Sequence, residues 1–152
     1  MSSDERAIEE VYAANWPVLS RLAFLLVGDR DDAQDVVNAA FLSATEHWLE
    51  IRQPDAYLRR AVVNRAKDLH RSAFRRRSIP RLFEREALPD EPAPDEIWAF
   101  VKALPPAQRC VVVLRYYEDL PLTDIADLLG RREATVRSDL RRALLNLRKL
   151  VK

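Results

Sequence analysis

Of 152 residues, only one is cysteine, two are histidine and two are glycine. Cys110 alone excludes an internal disulfide framework and a cysteine-based zinc cage. With only His47 and His70 beside it, an all-protein zinc site is not expected. Two glycines are too few for the turns of an all-β fold or for a loop that cradles phosphate. No apolar run approaches the ~20 residues needed to span a bilayer. The acidic start MSSDERAIEEV does not resemble a secretory signal. A cytoplasmic protein with no membrane insertion is the expectation.

What is present is a chain that is 48% apolar and 32% charged, enough to bury a core. Leu, Ala and Arg dominate, and all three favour helix. The nine prolines are clustered: six lie between Pro80 and Pro106, the others being Pro17, Pro54 and Pro121. The composition predicts an all-α protein of two small helical domains with a seam between them. The charge is segmented too, although the net value is only +1. Residues 1–78 balance, residues 79–98 carry −4, and residues 99–152 carry +5. Within the first part, residues 57–77 hold eight Arg or Lys against Asp68 alone. Basic patches of this density suit phosphate backbones.

Apolar residues at helical spacing predict a first helix from Asp4 to Val27, carrying Ile8, Val11, Tyr12, Trp16, Leu19, Leu22, Ala23 and Leu26. Pro17 predicts a break or kink within it, and Gly28 a C-terminal cap. Asp29, Asp31 and Asp32 place carboxylates at the positive end of a second helix, which runs to about Glu50 and buries Val36, Val37, Ala40, Phe41, Ala44 and Trp48. Pro54 suits the first turn of a third helix, with Tyr57, Leu58, Ala61, Val62, Ala66 and Leu69 inward and arginines outward. Domains are therefore expected over 1–77 and 94–152, joined by an acidic, proline-containing linker over 78–93. Leu82, Phe83 and Leu88 within it are apolar but show no sustained period. Helices resume near Asp95 and again from Ala107 to Tyr117, with Cys110 a small core residue.

The most informative stretch runs from Leu120 to Leu144. Thr123 or a neighbour can cap a short helix with Ile125, Ala126 and Leu129 inward. Gly130 permits a left-handed turn, and a second helix from about Glu133 buries Val136, Leu140 and Leu144. This is helix-turn-helix grammar, in which the second helix enters a DNA major groove. Thr135, Arg137, Ser138, Arg141 and Arg142 then face the groove, where Arg reads guanine edges or clamps phosphate.

Taken together, the two halves resemble bacterial sigma factors. Tyr57-Leu-Arg-Arg-Ala-Val-Val-Asn64, preceded by Asp32-Ala-Gln-Asp-Val-Val-Asn-Ala-Ala-Phe41, is similar to sigma region 2. Leu104-Pro-Pro-Ala-Gln-Arg-Cys-Val-Val-Val-Leu-Arg-Tyr116 with the helix-turn-helix is similar to region 4. Lacking region 1 and a folded region 3, the chain resembles the extracytoplasmic-function (ECF) group. Ala14-Asn-Trp-Pro17 and Leu22-Ala-Phe-Leu-Leu-Val-Gly-Asp-Arg30 resemble its actinobacterial, SigE-like branch. The resemblance implies a non-catalytic subunit that directs core RNA polymerase to promoters and assists melting of the −10 element.

It further implies that region 2 docks on the β′ clamp helices and region 4 on the β flap. Asp35, Val36, Asn38 and Phe41 would lie in the polymerase-binding stretch. Asn64 would read a flipped −10 base, with Arg60, Lys67 and Arg71 on the backbone. Arg137, Ser138, Arg141 and Arg142, with Thr135, would serve the −35 element. Members are commonly held inactive by an anti-sigma factor. Two positions depart from the family pattern: Asn38-Ala39 replaces Gln-Glu or Gln-Asp, and Asp139 stands where a basic residue is common. Asp139 either orients an arginine or weakens phosphate attraction.

Flipping a base costs a few kcal/mol of unstacking. A polar pocket and an aromatic wall offset that cost. Asn64 supplies the first, and Tyr57 or Trp48 the second, although a core position is the commoner use of both aromatics. The 16 linker residues can reach roughly 55 Å, so the two basic surfaces could meet sites about two DNA turns apart. The alternative reading is a stand-alone helix-turn-helix transcriptional regulator that binds DNA without polymerase. An enzyme is not expected: no His, Cys or carboxylate cluster has acid–base or metal-ligand spacing, so no cofactor or metal is anticipated.

Overall fold

In a computed structural model the protein describes residues 2–75 and 96–151, and its chain divides into two compact units that part near residue 71. The expected linker, 78–93, lies outside the described residues, as do Leu82, Phe83 and Leu88. Every regular element among the described residues is helical.

The first unit comprises α1 (Ser3–Val27), α2 (Arg30–Glu46), a 3₁₀ turn over Trp48–Glu50, and α3 (Pro54–Arg75). Ser2 and Glu5 form a reciprocal capping box at the start of α1, each side chain accepting from the other's backbone N–H at 3.1 Å. Gly28 ends the helix at φ 74°, its N–H donating to the Phe24 carbonyl. Asp29 caps α2, accepting from the Asp32 N–H at 3.0 Å. His47 closes that helix, and its exposed ring lies 3.0 Å from the Ser43 carbonyl. The core is a set of fully buried aliphatics, Leu22, Leu26, Val36, Val37, Leu58, Val62 and Val63.

Three features differ from expectation here. Pro17 does not break α1, which is continuous across it. Pro17 and Ala13, whose carbonyl loses the usual donor, are both exposed, so water can satisfy that carbonyl. Burial of Leu19, Leu22 and Ala23 holds the next turns in place. Trp16 is 40% exposed rather than buried, its ring tilted against Phe41 with centroids 5.1 Å apart. Tyr12 meets the same Phe41 ring edge-on at 4.3 Å and donates from its hydroxyl to the Phe41 carbonyl. Asn15 ties α1 to the start of α3 by donating to Asp55 at 2.8 Å. The second helix ends four residues before Glu50, and Trp48 is half-buried in the 3₁₀ turn that follows.

The second unit comprises α4 (Glu96–Lys102), α5 (Pro106–Val112), a π-helical turn over Val113–Tyr117, α6 (Leu122–Leu129) and α7 (Glu133–Val151). The last helix packs on α4, α5 and α6. Pro106 opens α5 at a position where its missing N–H has no cost. Arg109 is buried, and its guanidinium donates to the Lys102 carbonyl at 3.1 Å, satisfying the C-terminal end of α4. That burial lowers its pKa from the ordinary arginine value. Cys110 is buried, as expected of a small core residue.

The π turn is marked by the Glu118 N–H donating five residues back to Val113. Val113 and Leu114 stay buried while Tyr116 is turned out to 60% exposure. Leu26→Ala should destabilise the first unit by about 2–5 kcal/mol. Urea unfolding in a Trp98→Phe background, where only Trp16 and Trp48 report, measures this; a loss below about 1 kcal/mol would contradict the packing described.

Candidate nucleic-acid interface

The α6–α7 turn is built by one glycine. Gly130 sits at φ 66°, ψ 36°, a region closed to most residues with a Cβ. Its N–H donates to Asp127, and the next N–H, from Arg131, donates to Ala126 at 3.0 Å. Together they form a Schellman cap that ends α6 and starts α7 four residues later. Ile125 and Ala126 of α6 and Val136 of α7 are buried, as the spacing predicts. Neither Thr123 nor a neighbour caps α6: Pro121 holds the N-cap position without a side-chain bond, and its carbonyl receives the Asp124 and Ile125 N–H groups.

The inward stripe of α7 also shifts from the expected one. Val136 and Ala143 are fully buried and Leu140 is half-buried, whereas Leu144 is 43% exposed. A straight helix returns to the same face after seven residues more closely than after eight, so Ala143 takes the inner position. Asp139 is also buried, and its carboxylate accepts from Arg131 at 3.0 Å. Of the two roles open to Asp139, orienting an arginine is the one the geometry fits. This pair links the turn to the second turn of α7.

Thr135, Arg137, Ser138, Arg141 and Arg142 are all exposed on α7. Arg137 is already engaged: its Nη2 donates to Glu133 Oε1 at 3.0 Å, one helical turn back. Asn146 donates to Gln108 at 2.8 Å, linking α7 to α5 beyond this surface.

In the first unit, α3 is rotated so that Leu58, Val62, Val63 and Ala66 are buried. Ala61 and Leu69, expected inward, are half-buried. The neighbouring face opens into a cleft of about 370 Å³ against α2, lined by Tyr57, Arg60, Asn64, Arg65 and Asp68 together with Ala39, Ala40, Ser43 and Ala61. Asn64 and Arg60 are exposed there. Tyr57 is half-buried, with its hydroxyl 2.6 Å from Ser43 Oγ. Lys67 is half-buried, and the side chain of Arg71 lies outside the described part. Tyr57 also borders a second cleft, of about 400 Å³, with His47, Glu50, Ile51, Arg52 and Gln53. Nothing in the sequence spacing marks that cleft, because it depends on how the 3₁₀ turn folds back.

The expected polymerase-facing set divides. Asp35 and Asn38 are exposed on α2, but Val36 and Phe41 are buried core residues and present no surface to a partner. Leu42, 61% exposed, shares the face of Asp35 and Asn38 at the i, i+3, i+7 spacing. An apolar residue out of phase with the buried stripe was the available signal for it. Among the described residues no helix is long and apolar enough to cross a membrane, and no group of three or more His, Cys, Asp or Glu is placed to hold a metal.

Asp139→Asn should lower the stability of the second unit by about 1–3 kcal/mol, since a charged hydrogen bond at a mostly buried site is lost. Thermal unfolding at neutral pH measures it, and an unchanged transition would remove the pair as a link between turn and helix.

Comparison with known proteins bears on the whole chain. A family model described as Sigma-70 region 2 matches residues 11–76, and one described as Sigma-70, region 4 matches residues 95–147. The chain is 36% identical over 152 residues to the RNA polymerase sigma-E factor of Streptomyces coelicolor, spanning 92% of this chain and 83% of that protein. It is 33% identical over 156 residues to the ECF RNA polymerase sigma factor SigL of Mycobacterium tuberculosis, spanning 94% and 86%. Among solved structures, the sigma factor RpoE in complex with the anti-sigma factor NepR, from Bartonella quintana, matches with a TM-score of 0.71 at 18% identity, covering 96% of this chain and 97% of that one. CnrH in complex with the cytosolic domain of CnrY matches at 0.64 and 22% identity, covering 97% and 88%. At those identities the likeness is one of fold. With both sigma regions in order along an all-helical chain, the protein belongs to the bacterial sigma-70 family, as an ECF RNA polymerase sigma factor similar to the actinobacterial sigma-E factors.

Proposed function

We propose that the two units divide promoter recognition, the second binding the −35 element through α7 and the first binding and opening the −10 element through α3. The observation that supports this most is the surface of α7. Its buried Val136, Asp139 and Ala143 leave Thr135, Arg137, Ser138, Arg141 and Arg142 outward together, on the helix that a helix-turn-helix inserts in the major groove. Domain limits at 1–77 and 94–152, with the acidic segment 78–93 as tether, fit this division.

On α3, Asn64 offers a donor and an acceptor in a cleft walled by Tyr57. An extruded base needs that combination, a hydrogen-bonding edge beside an aromatic face. Arg60 stands at the same cleft and Lys67 one turn beyond Asn64; with Arg71 they are assigned to the phosphate backbone. Asp35 and Asn38, with Leu42 in place of the buried Val36 and Phe41, are assigned to core polymerase. A central apolar side chain rimmed by polar ones is the usual composition of a protein interface.

Core RNA polymerase, through its β′ clamp helices and β flap, and promoter DNA are the partners. The family is non-enzymatic, and the chain is read as a cytoplasmic, non-catalytic subunit that takes no cofactor. Because the fold relative RpoE was captured with an anti-sigma factor, we extend control by a protein of that class to this chain.

Asn64→Ala should reduce promoter opening, followed by permanganate reactivity of unpaired thymines, while co-purification with core polymerase stays at the wild-type level. Equal loss of both would contradict the assigned role. Arg137→Ala should weaken binding to the −35 element by about 1–3 kcal/mol and relax base preference at one position. Unchanged promoter choice in run-off transcription would remove Arg137 from that contact.

A further inference from the structure

Glu133 and Arg137 form an ion pair at the opening of α7. Glu133 is the first residue of α7, and its carboxylate accepts from Arg137 at 3.0 Å, with the side chains 43% and 65% exposed. An exposed pair at this spacing adds little to helix stability. Its position is more informative: Glu133, Arg137 and Arg141 follow one another at four-residue intervals along the N-terminal half of α7. That half of a recognition helix contacts base edges.

We propose that Glu133 determines sequence specificity at the −35 element by making Arg137 a poor phosphate ligand and a good guanine ligand; this rests on the reading of α7 as the groove-entering helix. A free arginine strengthens binding to any duplex, because a neutralised phosphate releases its counterion regardless of sequence. A carboxylate 3.0 Å from the guanidinium cancels most of that charge as seen from a phosphate. A guanine edge presents two neutral acceptors, N7 and O6. The guanidinium has five N–H donors, so it can satisfy both and still keep one on Glu133. Held in advance, it also loses less rotamer freedom on binding. The second oxygen of Glu133 is left to accept from a cytosine amine, the base group that carboxylates read in the major groove. Opposite an acceptor such as guanine O6 or thymine O4, the same oxygen would be desolvated without a partner. The pair therefore selects for a guanine beside a base that presents a major-groove amine, cytosine being the one carboxylates usually read.

The test uses core polymerase carrying the full-length chain, as wild type, Glu133→Gln or Glu133→Ala. The probe is a pool of duplexes randomised across the −35 segment above a fixed −10 segment. Retained molecules are sequenced, and total retention is followed across a salt series. The Gln variant should hold more of the unselected pool, with a log–log salt slope steeper by about 0.9. Its enrichment of the best sequence over the pool average should fall about tenfold. The Ala variant should lose preference at the cytosine position as well. A Gln variant that enriches as strongly as wild type, or one whose binding to selected and unselected duplexes rises by the same factor, would overturn the role of Glu133. A wild-type polymerase that enriches no sequence would instead overturn the placement of α7 in the groove, and this inference with it.

Discussion

A helix carries its chemistry on whichever face its core residues leave free, so the rotation of α3 and α7 about their own axes governs what this protein can touch. On α3 that rotation is set by burial of Leu58, Val62, Val63 and Ala66. Burial of each of the three larger side chains contributes about 1.5–3 kcal/mol, and turning the helix by one residue would expose several at once. The same four residues hold Asn64 at a cleft edge next to Tyr57. On α7 the lock is smaller: Val136 and Ala143 at full burial, with Asp139 between them. A single turn of irregular backbone at Gly130 places that helix against α6.

Charge is then distributed over surfaces whose orientation is already settled. The arginines of α7 are not a uniform positive field, because carboxylates are set among them at short range. Asp139 is buried and its partner Arg131 belongs to the turn, so this pair acts within the fold. Glu133 and Arg137 are both open to solvent, so this pair can be rearranged by a ligand. A sigma factor has to reject a great excess of non-promoter DNA, and unmodulated positive charge works against that requirement. The near-neutral total charge of the chain suits the same need.

Much of this was legible in the sequence, for identifiable reasons. The left-handed positions at Gly28 and Gly130 follow from their place just after apolar periodic runs. The Asp29 cap and the opening of α3 at Pro54 follow from side-chain chemistry that acts over three or four residues. The capping box at Ser2 and Glu5 carries the same local signature, and its spacing is visible in the chain. Pro17 makes no break because its penalty depends on whether the carbonyl it strands can reach water, a property of tertiary exposure. The π turn at Val113–Tyr117 has no local marker, and Tyr116 lies in it facing outward.

Two helical domains, a helix-turn-helix between Leu122 and Val151, and arginines along its second helix follow from periodicity, glycine placement and residue type, all properties of the linear chain. Which members of an apolar run are core and which are surface was decided only on folding. Val63 is fully buried while Ala61 and Leu69 are left half-buried, and Ala143 is taken inward in preference to Leu144. The physical reason is that a stripe of three or four residues per two turns leaves about one residue of freedom in helix rotation. Only the side chains of neighbouring helices, filling the space at close-packed density, remove that freedom.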